Sequence, residues 1–266
     1  MEKIRLDLLL TRKGLAPSRE KAQALVLAGR VLVDHKPALK PGQLVSSEAQ
    51  ISVQESFPYV SRAGAKLEQG LRCFKIPVTG LVALDIGCST GGFTDCLLQA
   101  GARKVYALDV NINQLDWKLR QNPRVITLEK NARYLQPEDL PETPGLTVID
   151  VSFISVLKIL PAVRKIMASG DVLVLIKPQF EAGRNQVGKK GIIRDSRVHL
   201  EVLEKILTSA GEMGFAVQDL LACDTLGQKG NREFLAWLRV GSGGLSPEKL
   251  CKKIKEILPH GHQTEN

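Results

Sequence analysis

The spacing of apolar residues predicts two kinds of structure along the chain. Near the start, Leu6, Leu9 and Leu10 fall on one helical face, and the apolar residues of 22–26 repeat that spacing after a break. Short apolar runs at 31–33 and 51–53, with a turn at 35–37 between them, predict a small β segment. Residues 1–53 therefore predict a small α+β domain. About fifty residues build only a marginal core, so this domain should accompany something larger.

From residue 62 onward, strand-like and helix-like stretches alternate, which is typical of a parallel sheet covered on both faces. Seven strands are predicted, with helices between them and a hairpin at the end. They are Val82–Ile86, Val105–Asp109, Val125–Leu128, Thr147–Val151, Val172–Lys177, Ala216–Leu221 and Phe234–Leu238. We expect a Rossmann-like, mostly parallel seven-stranded sheet over residues 62–245. Residues 54–61 are predicted to be a linker, and 246–266 a basic C-terminal helix followed by a tail.

The net charge of the chain suggests an anionic partner. Of the 266 residues, 37 are Lys or Arg and 28 are Asp or Glu, so the formal net charge is +9. An excess of this size favours nucleic acid or an acidic membrane surface, although a basic, merely solvated surface is an alternative. The sequence leaves the oligomeric state open.

Cysteine spacing and hydropathy exclude several classes. The cysteines are five in number and scattered, which indicates neither a disulfide framework nor a metal site, and no metal is expected. The first residues contain no apolar stretch of signal-peptide length, and the longest apolar runs are strand-length. We therefore expect a cytoplasmic protein with reduced thiols and no membrane partner.

The loop after the first strand of the large domain carries the clearest ligand signature. It lacks the second glycine of a G-x-G-x-x-G dinucleotide loop and the lysine of a phosphate-binding P-loop. Asp85, at the strand end, would repel a pyrophosphate but suits a ligand with a cationic amino or sulfonium group. D-x-G-x-x-x-G-G is similar to the loop of S-adenosylmethionine binders. The candidate cofactor-binding residues here are Asp85, Gly87, Ser89, Thr90, Gly91, Gly92 and Phe93.

Two polar residues at the next strand ends extend the candidate cofactor site. Asp109 ends the second strand, where an acid can accept both ribose hydroxyls of an adenosine, or can simply be solvated. Asn131 follows the third strand and is a weaker candidate for a position near the adenine.

Four charged residues are expected to converge on the same sheet edge, because ligands in such folds bind at the carboxyl ends of the strands. Lys66 precedes the first strand, Asp150 ends the fourth, Lys177 ends the fifth, and Glu233 opens the last. Taken singly, each could be a solvated charge. Lys177 is unusual because it lies between the buried run Val-Leu-Val-Leu-Ile and a proline.

Basic residues cluster around the second helix of the small domain, where residues 1–45 hold nine basic and four acidic side chains. The helix start at Ser18-Arg19 adds backbone donors that suit a phosphate. A solvated amphipathic helix is the alternative on charge pattern alone. The pattern R-L-D-x-L-L…G-L-A-x-S-R-x-x-A…G-x-V-x-V-D resembles the alpha-L RNA-binding module. The resemblance implies an RNA-facing role for Ser18, Arg19, Lys21 and Arg30. With Arg5 and Lys36, these make up the predicted RNA-binding set, whereas Asp7 is expected to hold the module together.

The large domain resembles the TlyA family and, more broadly, the FtsJ-like ribose 2′-O-methyltransferases. The motifs that carry the resemblance are V-S-R-x-G-x-K-L, L-D-I-G-x-S-T-G-G-F-T-D, D-V-S-F-I-S, I-K-P-Q-F-E and G-N-x-E-F. The resemblance implies a catalytic tetrad of Lys66, Asp150, Lys177 and Glu233. It also implies S-adenosyl-L-methionine as the cofactor and a ribose 2′-hydroxyl of ribosomal RNA, with cytidine as the nucleotide, as the methyl acceptor.

Two other functions are weighed against this one. A haemolysin-like membrane-active protein would need a signal peptide, an apolar span or a strong amphipathic helix, and none is evident in the sequence. A non-catalytic RNA-binding ribosome assembly factor would tolerate loss of the tetrad or of the cofactor loop, and both are intact. Departures from the usual motifs, such as Cys88 in the cofactor loop, remove no tetrad residue.

Overall fold

The computed structural model describes residues 3–27, 30–34, 36–38, 40–53, 58–188, 191–227 and 230–258. The chain divides into two compact units, 1–57 and 58–266. Part of the predicted linker, 54–57, and the predicted tail beyond Leu258 lie outside the described residues.

The first unit is built from two short helices and five short strands within its described residues. In order they are β1 (Lys3–Arg5), α1 (Leu6–Arg12), α2 (Arg19–Leu27), β2 (Val31–Val33), β3 (Lys36–Pro37), β4 (Leu44–Ser46) and β5 (Ile51–Val53). Strand β1 pairs with β4, and β2 pairs with both β3 and β5, all antiparallel. The predicted α+β character is therefore present. Lys36 and Pro37 lie in a strand rather than in the predicted turn, because both pair with β2.

The first unit packs its apolar residues around α1, whose Leu6 and Leu10 are fully buried. Ala22 and Val26 of α2 and Val31 of β2 complete the same cluster. These are positions that the helical and strand periodicities predicted to face inward.

The second unit alternates strands and helices as expected. Its elements are α3 (Ala63–Phe74), β6 (Val82–Ile86), α4 (Gly92–Gln99), β7 (Lys104–Asp109), α5 (Trp117–Arg120), β8 (Val125–Glu129), β9 (Leu146–Ile149), α6 (Leu160–Ile166), β10 (Asp171–Ile176), α7 (Pro178–Glu181), α8 (Ser196–Glu212), β11 (Phe215–Ala222), β12 (Phe234–Val240) and α9 (Pro247–Ile257). Each of the seven predicted strands is present, with ends that differ by a residue or two.

The strands of the second unit's described part form one seven-stranded sheet in the order β11-β12-β10-β9-β6-β7-β8. Strands β8, β7, β6, β9 and β10 are parallel, and β12 is antiparallel to both β10 and β11. All five residues of the central strand β6 are buried, which is typical of a parallel strand with helices on both faces. The mostly parallel sheet predicted from the sequence is confirmed.

Helices cover the two faces of this sheet and divide its core. Because side chains alternate along a strand, Leu84 and Ile86 of β6 point to the face of α6, α8 and α9. Ala83 points to the opposite face, beneath α3 and α4.

Two flanking segments pack on the second unit rather than standing apart from it. Residues 58–61 fall in the predicted linker, yet the Val60 backbone N–H donates to Asp95 of α4 at 2.9 Å and Val60 packs against the α3–α4 core. In the C-terminal helix α9, Ile254 is buried and Lys253 pairs with Asp219 of β11 at 2.7 Å. Apolar burial accounts for both attachments.

Candidate active site

The carboxyl ends of the central parallel strands bring the predicted site residues together. Strand β6 has β7 on one side and β9 on the other, so the chain order reverses there. Such a reversal leaves a crevice at the carboxyl edge, where ligands of open α/β sheets bind. Each of these strands ends at a predicted site residue. Asp109 is the last residue of β7, and the residues that directly follow β6, β9 and β10 are Gly87, Asp150 and Lys177.

A cavity of about 320 Å³ lies at this edge and contains the whole predicted tetrad. We refer to it as the lysine cavity. Within the described part of the chain it is lined by Ser61, Arg62, Ala63, Lys66, Gly87, Cys88, Ser89, Thr90, Gly92, Phe93, Asp150, Ser152, Phe153, Leu175, Lys177, Gln179, Phe180, Leu226, Gly227 and Glu233. Lys66 and Glu233, which are 167 positions apart in sequence, therefore meet in one place.

The tetrad forms two lysine–carboxylate pairs. Lys66 on α3 donates to Glu233 Oε2 at 2.5 Å, and both side chains are buried. Lys177 Nζ lies 2.6 Å from Asp150 Oδ1 and also contacts Ser152 Oγ at 2.9 Å. Gln179 donates to the second oxygen of Glu233 at 3.3 Å. Two ammonium groups are thus held in fixed positions along the wall of one cavity.

A second cavity, of about 450 Å³, adjoins the first and holds the other predicted ligand positions. We refer to it as the Asp109 cavity. It is lined by Asp109 and Asn131, together with apolar side chains that include Leu108 and Ile159. The two cavities share Gly87, Ser89, Asp150, Ser152 and Phe153. A group bound in one can therefore reach a group bound in the other across this shared wall.

The Asp109 carboxylate is oriented by backbone donors. Its Oδ2 accepts from the Ser89 N–H at 2.9 Å, and its Oδ1 accepts from the Asn111 N–H at 3.0 Å. The side chain of Asn131 accepts from the Arg133 N–H at the start of a short 3₁₀ turn. Both residues line the Asp109 cavity.

The glycines of the loop have different structural roles. Gly87 has φ +85°, and a Cβ there would lie 2.6 Å from the backbone oxygen of Asp150. Its missing side chain keeps β6 and β9 close where both cavities meet. A Cβ on Gly91 would instead overlap Leu119, and Gly91 does not line either cavity. Gly92, Phe93, Thr90 and Ser89 all lie on the lysine cavity.

Asp85 occupies a different environment from the one predicted. Its side chain is fully buried, accepts a hydrogen bond from the Thr94 hydroxyl at 2.6 Å, and lines neither of the two cavities. Burial raises the pKa of Asp85 to about 7. The carboxyl side chain therefore anchors helix α4 beneath the loop rather than facing a ligand, because β6 alternation turns it toward α4.

Two aromatic residues at the cavity were not assigned a role from the sequence. Phe153 is 88% exposed, has φ +63°, and contacts the ring of Phe180 with centroids 4.8 Å apart. A positive φ is strained for a bulky side chain, so the surrounding structure must hold it. Phe153 lies in the D-V-S-F-I-S motif and Phe180 lies in the I-K-P-Q-F-E motif, and these motifs were the sequence signal that could have identified them.

In the first unit, the predicted RNA-binding residues fall into two groups. Arg5 and Arg19 each bind the buried carboxylate of Asp7, at 2.9 and 3.1 Å, while remaining about half exposed. Arg5 foremost, with Gln23 and Arg19, holds the pKa of Asp7 well below its usual range. Asp7 thus organises the module, as expected.

The remaining predicted residues of the first unit lie near its surface. Ser18 accepts from the Lys21 backbone N–H at 3.3 Å, as an N-cap does. Lys21 and Lys36 are exposed, and Arg30 is half-buried.

The parallel sheet, the glycine-rich loop and the acid at the end of the second parallel strand together define a Rossmann-like methyltransferase. Comparison with known families agrees with this class. The FtsJ-like methyltransferase family matches residues 59–240, and the S4 domain family matches residues 4–51. The chain belongs to the FtsJ-like methyltransferase family and carries an S4 domain before the methyltransferase domain.

Individual relatives cover almost the whole chain. The "16S/23S rRNA (cytidine-2'-O)-methyltransferase TlyA" of Mycobacterium tuberculosis is 42% identical over 97% of this chain and 98% of its own. "Hemolysin A" of Brachyspira hyodysenteriae is 44% identical over 88% of this chain and 98% of its own. A solved structure from Streptococcus thermophilus, described as a candidate hemolysin, has a TM-score of 0.75, 42% identity, and coverage of 97% and 96%.

The hemolysin names of some relatives raise the question of membrane-spanning helices. No helix in the described ranges combines the length and the apolar character that crossing a bilayer requires.

Proposed function

We propose that this chain transfers a methyl group from S-adenosyl-L-methionine to the ribose 2′-hydroxyl of a cytidine in ribosomal RNA. The observation that carries the proposal is the pairing of the two cavities. One contains two ion-paired lysines, the other contains Asp109 and Asn131, and they share a wall at Gly87 and Asp150.

The residues of the Asp109 cavity fit the proposed cofactor. Asp109 has a carboxylate oriented at a strand end, where ribose hydroxyls can donate to it. Leu108 and Ile159 supply an apolar surface suited to a purine, and Asn131 supplies a side-chain amide. Gly87 lines both cavities and, by lacking a side chain, lets β6 approach Asp150 closely at the wall that they share. The cofactor, when bound, supplies a methyl group on a positively charged sulfur.

In this proposal Lys177 acts on the hydroxyl that receives the methyl group. A ribose hydroxyl is a weak nucleophile at neutral pH, and an ammonium group can orient it and stabilise the developing negative charge. Asp150 and Ser152 hold the Lys177 ammonium at the wall that both cavities share. Lys66 and Glu233 are assigned to the positioning of the substrate ribose from the other side of the lysine cavity. The hydroxyl oxygen gains the methyl group as the methyl–sulfur bond breaks, and the hydroxyl proton passes to solvent water. Most of the rate derives from proximity and orientation.

RNA capture is assigned to both units. The S4 domain contributes the Ser18 hydroxyl and the basic residues Arg5, Arg19, Lys21, Arg30 and Lys36. At the lysine cavity, the exposed ring of Phe153 offers a stacking surface for a base displaced from its helix. The name of the Mycobacterium tuberculosis relative supports ribosomal RNA and cytidine as the target.

Ribose mapping tests the proposal. Ribosomal subunits from a strain that lacks 2′-O-methylcytidine are incubated with the chain and S-adenosylmethionine, then digested and analysed by mass spectrometry. We expect 2′-O-methylcytidine to appear, and Lys177→Met to lower its rate of formation on the order of a hundredfold or more with unchanged cofactor affinity. A methyl group on a base, or a variant as active as the parent, would contradict the assignment.

A further inference from the structure

A third cavity lies beside the lysine cavity and is lined by cationic side chains. Its volume is about 400 Å³. Within the described residues its lining consists of Ile192, Ile193, Arg194, His199, Leu226, Gly230 and Arg232. We refer to it as the arginine cavity. Neither the predicted tetrad nor the predicted cofactor residues contribute to it.

The arginine cavity is held in shape by Asn231, whose side chain is buried. Asn231 Oδ1 accepts from the Ile193 N–H at 3.0 Å, and Asn231 Nδ2 donates to the Gly191 carbonyl at 2.8 Å. These two hydrogen bonds join the segment that carries Arg194 to the segment that carries Arg232. The two guanidinium groups are thereby placed on one built site rather than on independent loops.

His199 lines the arginine cavity from helix α8 and is only 3% exposed. Its ring packs edge-on against Phe234, with centroids 5.7 Å apart. Neither ring nitrogen has a hydrogen-bond partner of good geometry among the described residues. The Ile193 backbone and Asp195 are nonetheless near enough to raise the pKa of His199, against the larger lowering caused by burial. Buried polar groups are nearly always hydrogen-bonded, so an imidazole held in this way suits a ligand that accepts from it.

The charge of the arginine cavity is positive. Among the described residues, neither Arg194 nor Arg232 pairs with a carboxylate. The neighbouring acid, Asp195, is bound by Arg197, with Nη2 and Oδ2 3.0 Å apart. Burial, and then the charge of Arg232, lower the pKa of His199. The groups that face a ligand are therefore two guanidiniums and one imidazole N–H, which is a donor set for an oxyanion.

The arginine cavity adjoins the proposed methylation site. Leu226 lines both the lysine cavity and the arginine cavity. Arg232 directly precedes Glu233, which binds Lys66. A strand that places a ribose in the lysine cavity would therefore carry its neighbouring phosphate past Arg232.

We infer that the arginine cavity binds a backbone phosphodiester next to the methylated nucleotide and so fixes the register of the RNA strand. The inference rests on the proposed function, because it requires RNA as the substrate. It adds a phosphate subsite outside the tetrad and outside the S4 domain.

The test compares Arg194→Gln/Arg232→Gln with two controls. Arg197→Gln removes one positive charge from α8 at a residue that is 87% exposed and lies outside the cavity. Arg194→Lys/Arg232→Lys keeps the charge. We expect the double Gln variant to raise the KM for ribosomal subunits about tenfold or more, with kcat and S-adenosylmethionine affinity little changed. For this variant, the slope of log RNA affinity against log salt concentration should become shallower by about 0.7 to 0.9, because one phosphate contact is lost.

A direct measurement separates this inference from the proposed function. Inorganic phosphate added to the full chain should shift the ring resonances of His199 in the parent and in Arg197→Gln, but not in the double Gln variant. If the parent methylates RNA while the double Gln variant matches Arg197→Gln in KM and salt slope, the phosphate subsite is overturned and the proposed function stands. A His199 response to phosphate without any effect on RNA also overturns it. A parent that neither binds nor methylates RNA overturns both.

Discussion

At the scale of single residues, the two lysine–carboxylate pairs differ in where they lie. The Lys66 and Glu233 side chains are 9% and 3% exposed, and the pair lines the lysine cavity alone. Asp150 of the second pair faces both cavities. The charge that stabilises the reacting hydroxyl should lie where the methyl acceptor and the methyl donor meet. Lys177 is held there by Asp150, so the geometry favours Lys177 over Lys66 as the residue that acts on the hydroxyl.

Asp85 leads to a prediction about stability and pH. Burial raises its pKa to about 7 from an ordinary value of 3.8. Between these two values the unfolded chain releases a proton that the folded chain retains, so rising pH favours unfolding. Asp85→Asn removes this group. The free energy of unfolding of the parent, measured relative to the variant by urea titration, should therefore decrease from about pH 4 to about pH 7.

A matched control isolates the buried position. Asp224→Asn removes an exposed carboxyl from the same unit and accounts for the loss of one negative charge. If the difference between the parent and Asp85→Asn stays constant over this pH range, Asp85 does not titrate in the way that its burial indicates.

At the scale of elements, one buried carboxylate joins the two loops that hold Asp150 and Lys177. Glu181 ends the short helix α7, four residues after Lys177, and its Oε1 accepts from the Val156 N–H at 2.8 Å. Val156 follows the loop that contains Asp150, Ser152 and Phe153. Glu181 is therefore a positioning residue that fixes one side of the lysine cavity against the other.

Removing this connection should reduce turnover without removing a reacting group. Glu181→Ala is expected to lower kcat on the order of tenfold to a hundredfold, since a displacement of about 1 Å in a reacting geometry can cost this much. Glu181→Gln keeps the accepting oxygen and should restore most of the rate. S-adenosylmethionine affinity, measured by calorimetry, should be similar in all three proteins. Equal losses in the Ala and Gln variants would argue against a positioning role.

At the scale of the whole molecule, the sequence predicted what depends on local periodicity and on strand ends. The strands of the second unit were predicted because segments such as β6 and β10 are short, mainly apolar runs that follow glycine-containing turns. The rule that parallel strands end at one edge predicted positions there for Asp109, Asp150 and Lys177. Lys66 lies on helix α3 and Glu233 precedes an antiparallel strand, so the tetrad as a set rests on the family resemblance. Burial and contacts depend on tertiary packing. The full burial of Asp85, the contact of Gly91 with Leu119, and strands β1 and β4 of three residues each could not be read from the sequence.

The ion pairs of the first unit also depend on tertiary packing. They determine which residues should be replaced to test the role of this unit in RNA binding. Arg5 and Arg19 both bind Asp7, which is fully buried. Replacing Arg19 would leave that carboxylate short of a partner, and a loss of RNA binding could then reflect a damaged module. Lys21 and Lys36 are exposed and make no ion pair with a carboxylate among the described residues, so they are the better probes.

Lys21→Gln/Lys36→Gln should weaken RNA binding while the module stays folded. Each lost phosphate contact should flatten the salt dependence of affinity by about 0.7 to 0.9 log units per log unit of salt, because fewer counterions are released. Cofactor affinity should be unchanged, since both lysines belong to the first unit and the Asp109 cavity is built entirely from the second. The matched control is Lys75→Gln/Lys165→Gln, which removes two exposed lysines. Lys75 follows the end of α3 and Lys165 lies in the last turn of α6, and these helices lead into the amino-terminal ends of β6 and β10. Filter binding of ribosomal RNA over a range of salt concentrations gives the slopes. If the Lys21/Lys36 variant and the control have the same slope as the parent, the basic face of the S4 domain is only solvated, and RNA capture belongs to the methyltransferase domain.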